Sequence, residues 1–408
     1  MIAHAQNRSA RRWTLPHFVI ATYALFLTGF YFVPNAVDHY KFYIFAVFFP
    51  GLFLLRSTLS QARNSRIWLS VLAYLAYMLL SSTWSDAFSL EMLWRDVRYT
   101  AYILSFILIT VYLFEYNPRL PQAIMVIVTV VVIIAAIISI VTFQDVLLLP
   151  TLTENRLIGV GVIGNSNPSA FVYGFWGVVA LDYARRHRGT ALGRICAFGV
   201  PVIFLYIALC QSNTGILALT AACSLLFFTS YQSGRVPRRE MLIGLLLVVG
   251  SAIFLAWSLG FLSKTIDAGF LNRLPIWQHV LQLWQQAPIL GQGLQKTLVL
   301  TPNGDESILN YAHSLFLSSL RDGGVVGLLL LLLVYFFALR SGLKMVLKEG
   351  RGLYLCLLLF GVVCVLVDTD QAITRPKELW IILWLPLGCL MAYELGLTGK
   401  DSRSLSTT

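Results

Sequence analysis

The sequence predicts an all-α integral membrane protein with about twelve transmembrane helices, and three observations carry that reading. Hydrophobic residues make up 58% of the 408 positions, charged residues only 12%, and the mean hydropathy is +0.75. A water-soluble chain carries roughly 25% charge, so too little polar surface is left here for water to cover. The apolar residues gather in runs close to the ~20 that a helix needs to cross a bilayer, and short basic clusters separate those runs in alternation. Together these exclude soluble dehydrogenases, nucleic-acid binders and disulfide-stapled secreted folds. The net charge of +11 reads as a set of topology signals rather than a nucleic-acid face.

Candidate spans fall near 15–33, 41–55, 67–83, 98–114, 121–143, 167–184, 194–210, 214–230, 240–260, 324–340, 352–368 and 378–396. The second is short, and the seventh and eighth need a tight turn at Gln211-Ser212-Asn213 to separate them. Arg8, Arg11 and Arg12 lead into an apolar run from Phe18 with no small-residue cleavage site, so the first span is expected to remain as an anchor. With both termini cytoplasmic, the clusters Arg56/Arg63/Arg66, Arg185/Arg186/Arg188, Arg235/Arg238/Arg239 and Arg340/Lys344/Lys348 all fall inside, while the carboxylates lean outward. The six cysteines lie in or beside apolar segments without metal-ligand spacing, and read as small buried hydrophobes. No internal repeat is visible, which weakens an inverted-repeat transporter reading.

Three outer segments are long: 84–97, 145–166 and 261–323. The last divides the chain into helices one to nine (1–260), a large outer loop (261–323), and helices ten to twelve with a cytoplasmic tail (324–408). In the first segment Arg95 and Arg98 share a helical face at the outer end of a span, where they suit a phosphate or simply anchor at the interface beside Asp86, Glu91 or Asp96. In the second, Arg156 precedes Gly159, Gly161, Gly164 and Asn165, a stretch that lets backbone approach a ligand closely or merely turns. Asn167 and Pro168 are expected as N-cap and first residue of the sixth span.

In the third segment Pro275 sits in the first turn of a surface helix whose Ile276, Trp277, Val280, Leu281, Leu283 and Trp284 recur at helical spacing. Arg273 stands at its N-terminus, where an anion would also meet backbone N–H groups; the alternative is that Arg273 only snorkels to lipid phosphates. After the turn-rich Pro288–Gly293, Asn303 with Glu306 resembles a capping box. A helix is therefore expected from Asn303, carrying Asn310, His313, Leu317 and Arg321 on one face until Asp322-Gly323-Gly324 breaks it. A lone interfacial His is more often a hydrogen-bonded structural residue than a catalyst.

These features, in this order, resemble the O-antigen ligase and polymerase superfamily. The motifs are Trp84-Ser85, Arg156 before Asn165-Ser166-Asn167-Pro168, Asn272-Arg273 through Trp277, Pro288 through Gly293, and His313-Ser314 with Leu317, then Gly323, Gly324 and Gly327. The resemblance covers about residues 80–330, and its weight lies in the order of the motifs, since no single one is specific. Where the family usually has Glu-x-Gly or a similar acidic pair after the His motif, this chain has Asp322-Gly323.

The resemblance implies a C-type (GT-C-like) glycosyltransferase with a large periplasmic loop and a periplasmic active site in the bacterial inner membrane, independent of metal, nucleotide or other cofactor. Its donor would be an undecaprenyl pyrophosphate-linked glycan and its acceptor a sugar hydroxyl of lipid A-core, both presented among membrane lipids. Arg156 and Arg273 would clamp the pyrophosphate, with Arg95, Arg98 and Arg321 as weaker candidates, and Asn167, Trp277 and Asn310 complete the expected substrate contacts. His313 would take the acceptor proton or hold that hydroxyl for in-line attack, which inverts the anomeric centre. The chemistry is consistent: no DxD pair has an obvious metal role, and arginines can offset the charge of a diphosphate leaving group.

The rivals are an O-antigen polymerase, a protein O-oligosaccharyltransferase and a secondary transporter. The ligase is favoured because the Arg273 and His313 motifs lie in one late outer loop. A transporter would place ionisable residues mid-span, and the middles of these spans are almost uncharged.

Overall fold

The computed structural model describes residues 14–142, 156–232, 242, 244, 246, 250, 273–294, 298–300, 307–309, 312–369 and 371–399. Every expected span that falls wholly among them is helical at its core. In chain order these are α1 (Leu15–Gly29), α2 (Ala36–Leu52), α3 (Leu55–Ala62), α4 (Arg66–Ser81), α5 (Leu90–Tyr116), α6 (Leu120–Thr142), α7 (Ser166–Arg186), α8 (Ala191–Leu209) and α9 (Asn213–Gln232). After them come α10 (Arg273–Gln286), strands β1 (Leu298–Leu300) and β2 (Ser307–Leu309), α11 (Leu315–Glu349), α12 (Leu353–Val367) and α13 (Trp380–Glu394). The expected ninth span, 240–260, lies outside the described residues apart from isolated positions. Among the described residues six helices are long and apolar enough to cross a membrane, or seven if α2 and α3 form one span bent by 77°.

The helix starts follow from local chemistry. Side-chain oxygens of Asn35, Ser65, Ser89, Thr190 and Ser314 cap α2, α4, α5, α8 and α11, each accepting from a backbone N–H that would otherwise be orphaned. The tight turn expected at Gln211 separates α8 from α9, with Gln211 in the left-handed region at φ 52°. Three expectations are corrected. The second span is broken, with a π-helical stretch at Tyr43–Phe48 and Pro50 just before the bend. The cap of α7 is Asn165, whose Oδ1 accepts from the Asn167 N–H, so the helix starts two residues early and the Asn167 side chain is released for another partner.

The third correction concerns the capping box at Asn303. Instead of a helix from there through His313, β1 and β2 pair antiparallel, Leu298 with Leu309 and Leu300 with Ser307, and the helix begins only at Leu315. Asn303-Gly304 between two aliphatic runs is a hairpin signal as well as a helix start, and the flanking Leu298–Leu300 and Ser307–Leu309 are paired as strands. Residues 301–306 themselves lie outside the described ones.

α7 is surrounded by α6, α8, α9 and α12, while α11 lies along α4 and α13 along α5. An aromatic knot of Phe26, Tyr43, Phe106 and Trp380 ties α1, α2, α5 and α13 together, with Tyr43 and Trp380 rings 4.8 Å apart. Lipid tails are as apolar as these side chains, so such packing, rather than hydrophobic burial alone, is what holds the helices against one another. The bundle has two ends. Phe30, Ser81, Arg156, Cys210, Arg273, His313 and Asp368 meet at one. The other is held by Thr58 to Glu115, Ser65 to Glu394 and Arg351 to Gly399.

Candidate active site

At the first end the chain brings together side chains that are far apart in sequence. Arg273, the first residue of α10, donates from Nη2 to Asp368 Oδ1 at 2.9 Å and from Nη1 to the Val367 carbonyl at 2.6 Å. Asp368 follows the last residue of α12, where the helix leaves unpaired carbonyls that attract a cation. The same Oδ1 lies 3.4 Å from His313 Nδ1, so Asp368 stands between the arginine and the imidazole. The Asp368 side chain is 6% exposed and that of His313 34%. Its second oxygen, Oδ2, is buried without a hydrogen-bond partner among the described residues, as are Thr369 Oγ1 and Thr374 Oγ1 in the segment that follows.

His313 precedes the N-cap of α11 at φ 49°, a backbone conformation uncommon for a residue with a Cβ. Trp277 of α10 secures the residue before it: its indole Nε1 donates to the Ala312 carbonyl at 3.0 Å, and Ile276 and Val280 pack with Ala312 into a small apolar cluster. The helix that carries Arg273 therefore also positions His313.

Arg156 joins from the other side. Its Nε donates to the Cys210 carbonyl at 2.9 Å and its Nη2 to Gln211 O at 3.3 Å and to Asn167 Oδ1, the amide released from capping. Burial pulls the Arg156 pKa down, Cys210 and Asp368 oppose that pull and Arg273 adds to it. Those mutual influences put Arg156 within electrostatic range of the Arg273–Asp368 pair. Two guanidinium groups near one carboxylate in a partly buried cluster favour a bound anion.

The glycine-rich approach to α7 packs against protein. A Cβ on Gly161, at φ 122°, would lie 2.6 Å from the Phe30 carbonyl oxygen, and one on Gly159 would meet Tyr173 and Tyr206. Close backbone approach is thus needed here to seat the segment on α1 and α8.

Three further motifs form a single clasp. α11 is broken at Gly324 (φ 62°, ψ −161°), which interrupts its hydrogen bonds as the Asp322-Gly323-Gly324 sequence predicts. The Pro288–Gly293 turn fills the break: Gln292 N donates to Arg321 O, Gly293 N to Asp322 O and Val325 N to Pro288 O, at 2.8 to 2.9 Å. Gly293 lies so close to Ser81 and Ser85 that a Cβ there would come within 2.7 Å of both, and Tyr77 Oη donates to Leu290 O and Gly323 O. Trp84-Ser85, Pro288–Gly293 and Gly323-Gly324 are thus one interlocked piece of backbone that fixes α10 relative to α11.

The remaining candidates are placed otherwise. Arg321 is buried and bidentate to Asp322, Nε to Oδ1 at 2.5 Å and Nη2 to Oδ2 at 3.1 Å. Arg95, with a side chain 42% exposed, pairs with buried Asp96, and Arg98 is exposed on the same helix; no contact described links either to the Arg156–Arg273 cluster. Asn310 lies outside the described residues. Asp368 is the residue that sequence reasoning missed. Its only signal was a carboxylate on the outer side, directly after an apolar span.

Fold and site together define a multi-pass helical membrane protein with a guanidinium-rich, histidine-bearing centre at one end of its bundle. A family profile described as O-Antigen ligase matches residues 198–332, a stretch that contains the Gln211 turn, Arg273, His313 and the Gly324 break. The chain is also 27% identical over 403 residues to an O-antigen ligase of Pseudomonas aeruginosa, covering 96% of this chain and 93% of that protein. The chain thus resembles the O-antigen ligases along nearly its whole length, beyond the residues 80–330 in which its motifs fall.

Proposed function

We propose that the protein is an O-antigen ligase: an inverting membrane glycosyltransferase of the C type that moves a glycan from undecaprenyl pyrophosphate to a sugar hydroxyl of lipid A-core. What carries the reading is the convergence of Arg273, His313 and Asp368, with Arg156 in electrostatic range. The twelve-span count, the division into 1–260, 261–323 and 324–408, cytoplasmic termini and a periplasmic site in the inner membrane belong to the same proposal; the distribution of basic residues supports them.

The chemistry follows from the groups present. Asp368 Oδ1, 3.4 Å from Nδ1, orients the imidazole in this reading, and Nε2 meets the acceptor hydroxyl. As that oxygen bonds to the anomeric carbon, its proton passes to Nε2, and the buried Asp368 carboxylate stabilises the imidazolium. The bond from the anomeric carbon to the pyrophosphate oxygen breaks, and charge grows on the leaving diphosphate. Arg273 and Arg156 are held by backbone carbonyls and by Asp368 or Asn167, so they meet that charge already oriented. Asp368 Oδ2, buried and lacking a donor among the described residues, offers an acceptor for a sugar hydroxyl.

A lipopolysaccharide gel from the source strain with the gene deleted tests the reading. Loss of every O-antigen band, with long glycans kept on the lipid carrier and restored by wild type but not by His313→Ala, supports the ligase. A core bearing a single repeat indicates a polymerase, and an unchanged ladder rejects both.

A further inference from the structure

Arg156 stands at the head of a segment, 156–165, that contains neither helix nor strand. Neighbouring elements must therefore hold it in place. Leu157 N donates to the Leu209 carbonyl at 3.1 Å, Gly159 N to Ser169 Oγ at 3.1 Å, Val160 N to Ser139 Oγ at 3.1 Å and Val162 N to the Phe30 carbonyl at 3.3 Å. Two of these acceptors are serine hydroxyls, Ser139 in α6 and Ser169 in α7, and both are fully buried.

Ser169 differs from the other acceptors because its Oγ is also hydrogen-bonded to Tyr206 Oη of α8. The Tyr206 ring is buried and stacked on that of Tyr173, with centroids 4.0 Å apart, which holds the phenol in place. The acceptors of the Arg156 side chain are divided between the same two helices. Asn167 lies two residues before Ser169 in α7, and Cys210 follows Tyr206 by one turn, its N–H donating to the Tyr206 carbonyl at 2.9 Å. The Ser169–Tyr206 bond thus sets the separation of the two groups that the guanidinium bridges. Gly159 lies directly on the pair, since a Cβ there would come within 2.9 Å of both Ser169 Oγ and Tyr206 Oη. Hydroxyl bonds between helices occur elsewhere in the bundle, as between Tyr23 Oη and Thr110 Oγ1 at 2.7 Å, and helix packing alone accounts for them. It does not account for one that also takes an N–H from the segment bearing Arg156.

We propose that Ser169 and Tyr206 are positioning residues that aim the Arg156 guanidinium at the diphosphate of the lipid-linked donor. This rests on the reading of Arg156 as a ligand of that diphosphate. A guanidinium is effective there only while its planar fork is oriented, and the two hydroxyls orient the segment that carries it and the helices that it bridges.

The test measures the binding of undecaprenyl pyrophosphate to the purified full-length protein in detergent, so that no turnover is needed. Tyr206→Phe keeps the ring and its stacking and removes only the hydroxyl; affinity should fall about fivefold. Added to Arg156→Lys, in which the planar fork is already lost, the same change should weaken binding little further. Tyr23→Phe deletes an equally buried bond between helices, with no contact described to the Arg156 segment, and should leave the affinity unchanged. Ser169→Ala deletes the other half of the pair and should match Tyr206→Phe, so it reports even where that variant fails to fold. Undiminished affinity in these variants, or losses from Tyr206→Phe and Arg156→Lys that multiply, overturns the positioning role and leaves the ligase reading standing. A wild type that binds no undecaprenyl pyrophosphate rejects the ligase reading and the proposal together.

Discussion

Arg273 and Asp368, 95 positions apart, meet at 2.9 Å, and the oxygen they share also faces His313 at 3.4 Å. One buried carboxylate thus orients both the group proposed to meet the diphosphate and the group proposed to take the proton. Replacing Asp368 by Asn keeps its shape and removes its charge. Transfer should fall by about 10²-fold or more through kcat, with folded protein still recovered from membranes. Steady-state kinetics on purified Asp368→Asn check this, and a rate within a few-fold of wild type would remove Asp368 from the mechanism.

The clasp between Pro288–Gly293 and the Gly324 break makes a prediction about stability. A Cβ on Gly324 would overlap the Ile289 backbone, and one on Gly291 the backbone of Asp322 and Gly324, both at positive φ. Gly291→Ala or Gly324→Ala should each cost at least ~2 kcal/mol, seen as a lower melting temperature in detergent. Gly164→Ala, with open space around its Cα, should be nearly neutral.

Arg156 reaches three acceptors on two elements: the carbonyls of Cys210 and Gln211, and the Asn167 amide. An ammonium on a flexible stem cannot reproduce that planar fork. Arg156→Lys should therefore lose most of the transfer rate, close to Arg156→Ala, in the same kinetic assay. Full activity in the lysine variant would mean that charge alone matters.

Arg95 and Arg98 give the contrasting case. The first, half-exposed, pairs with the buried Asp96 beside it and the second is exposed, and no contact described brings either to Arg156 or Arg273. Substituting either with Ala should change transfer by only a few-fold. Chelation by EDTA should likewise leave the rate intact, because guanidinium groups meet the leaving charge; loss of rate restored by added magnesium would contradict that assignment.

What was legible in the sequence divides along physical lines. The Gln211 turn and the break at Gly323-Gly324 are local properties of backbone freedom, and the structure has them where the sequence places them. Arg273 at the head of a helix was equally readable from Pro275 and the apolar spacing after it. The helix expected from Asn303 failed because two local signals, capping box and Asn-Gly hairpin, compete at one place, and only the pairing of Leu298–Leu300 with Ser307–Leu309 decides between them. Asn165 rather than Asn167 became the cap for a similar reason, since Arg156 claims the Asn167 side chain across the fold. Asp368 was not legible at all. Its importance lies in contacts with residues 55 or more positions away, and no local pattern marks which outer carboxylate a folded bundle will bury.

The most direct measurement is glycan transfer by the purified protein in proteoliposomes, from a labelled glycan on undecaprenyl pyrophosphate to lipid A-core, comparing wild type with His313→Ala. The account predicts time-dependent label on the acceptor with wild type and none above background with the variant, at equal protein incorporation. Equal rates for the two proteins would contradict the central role given to His313.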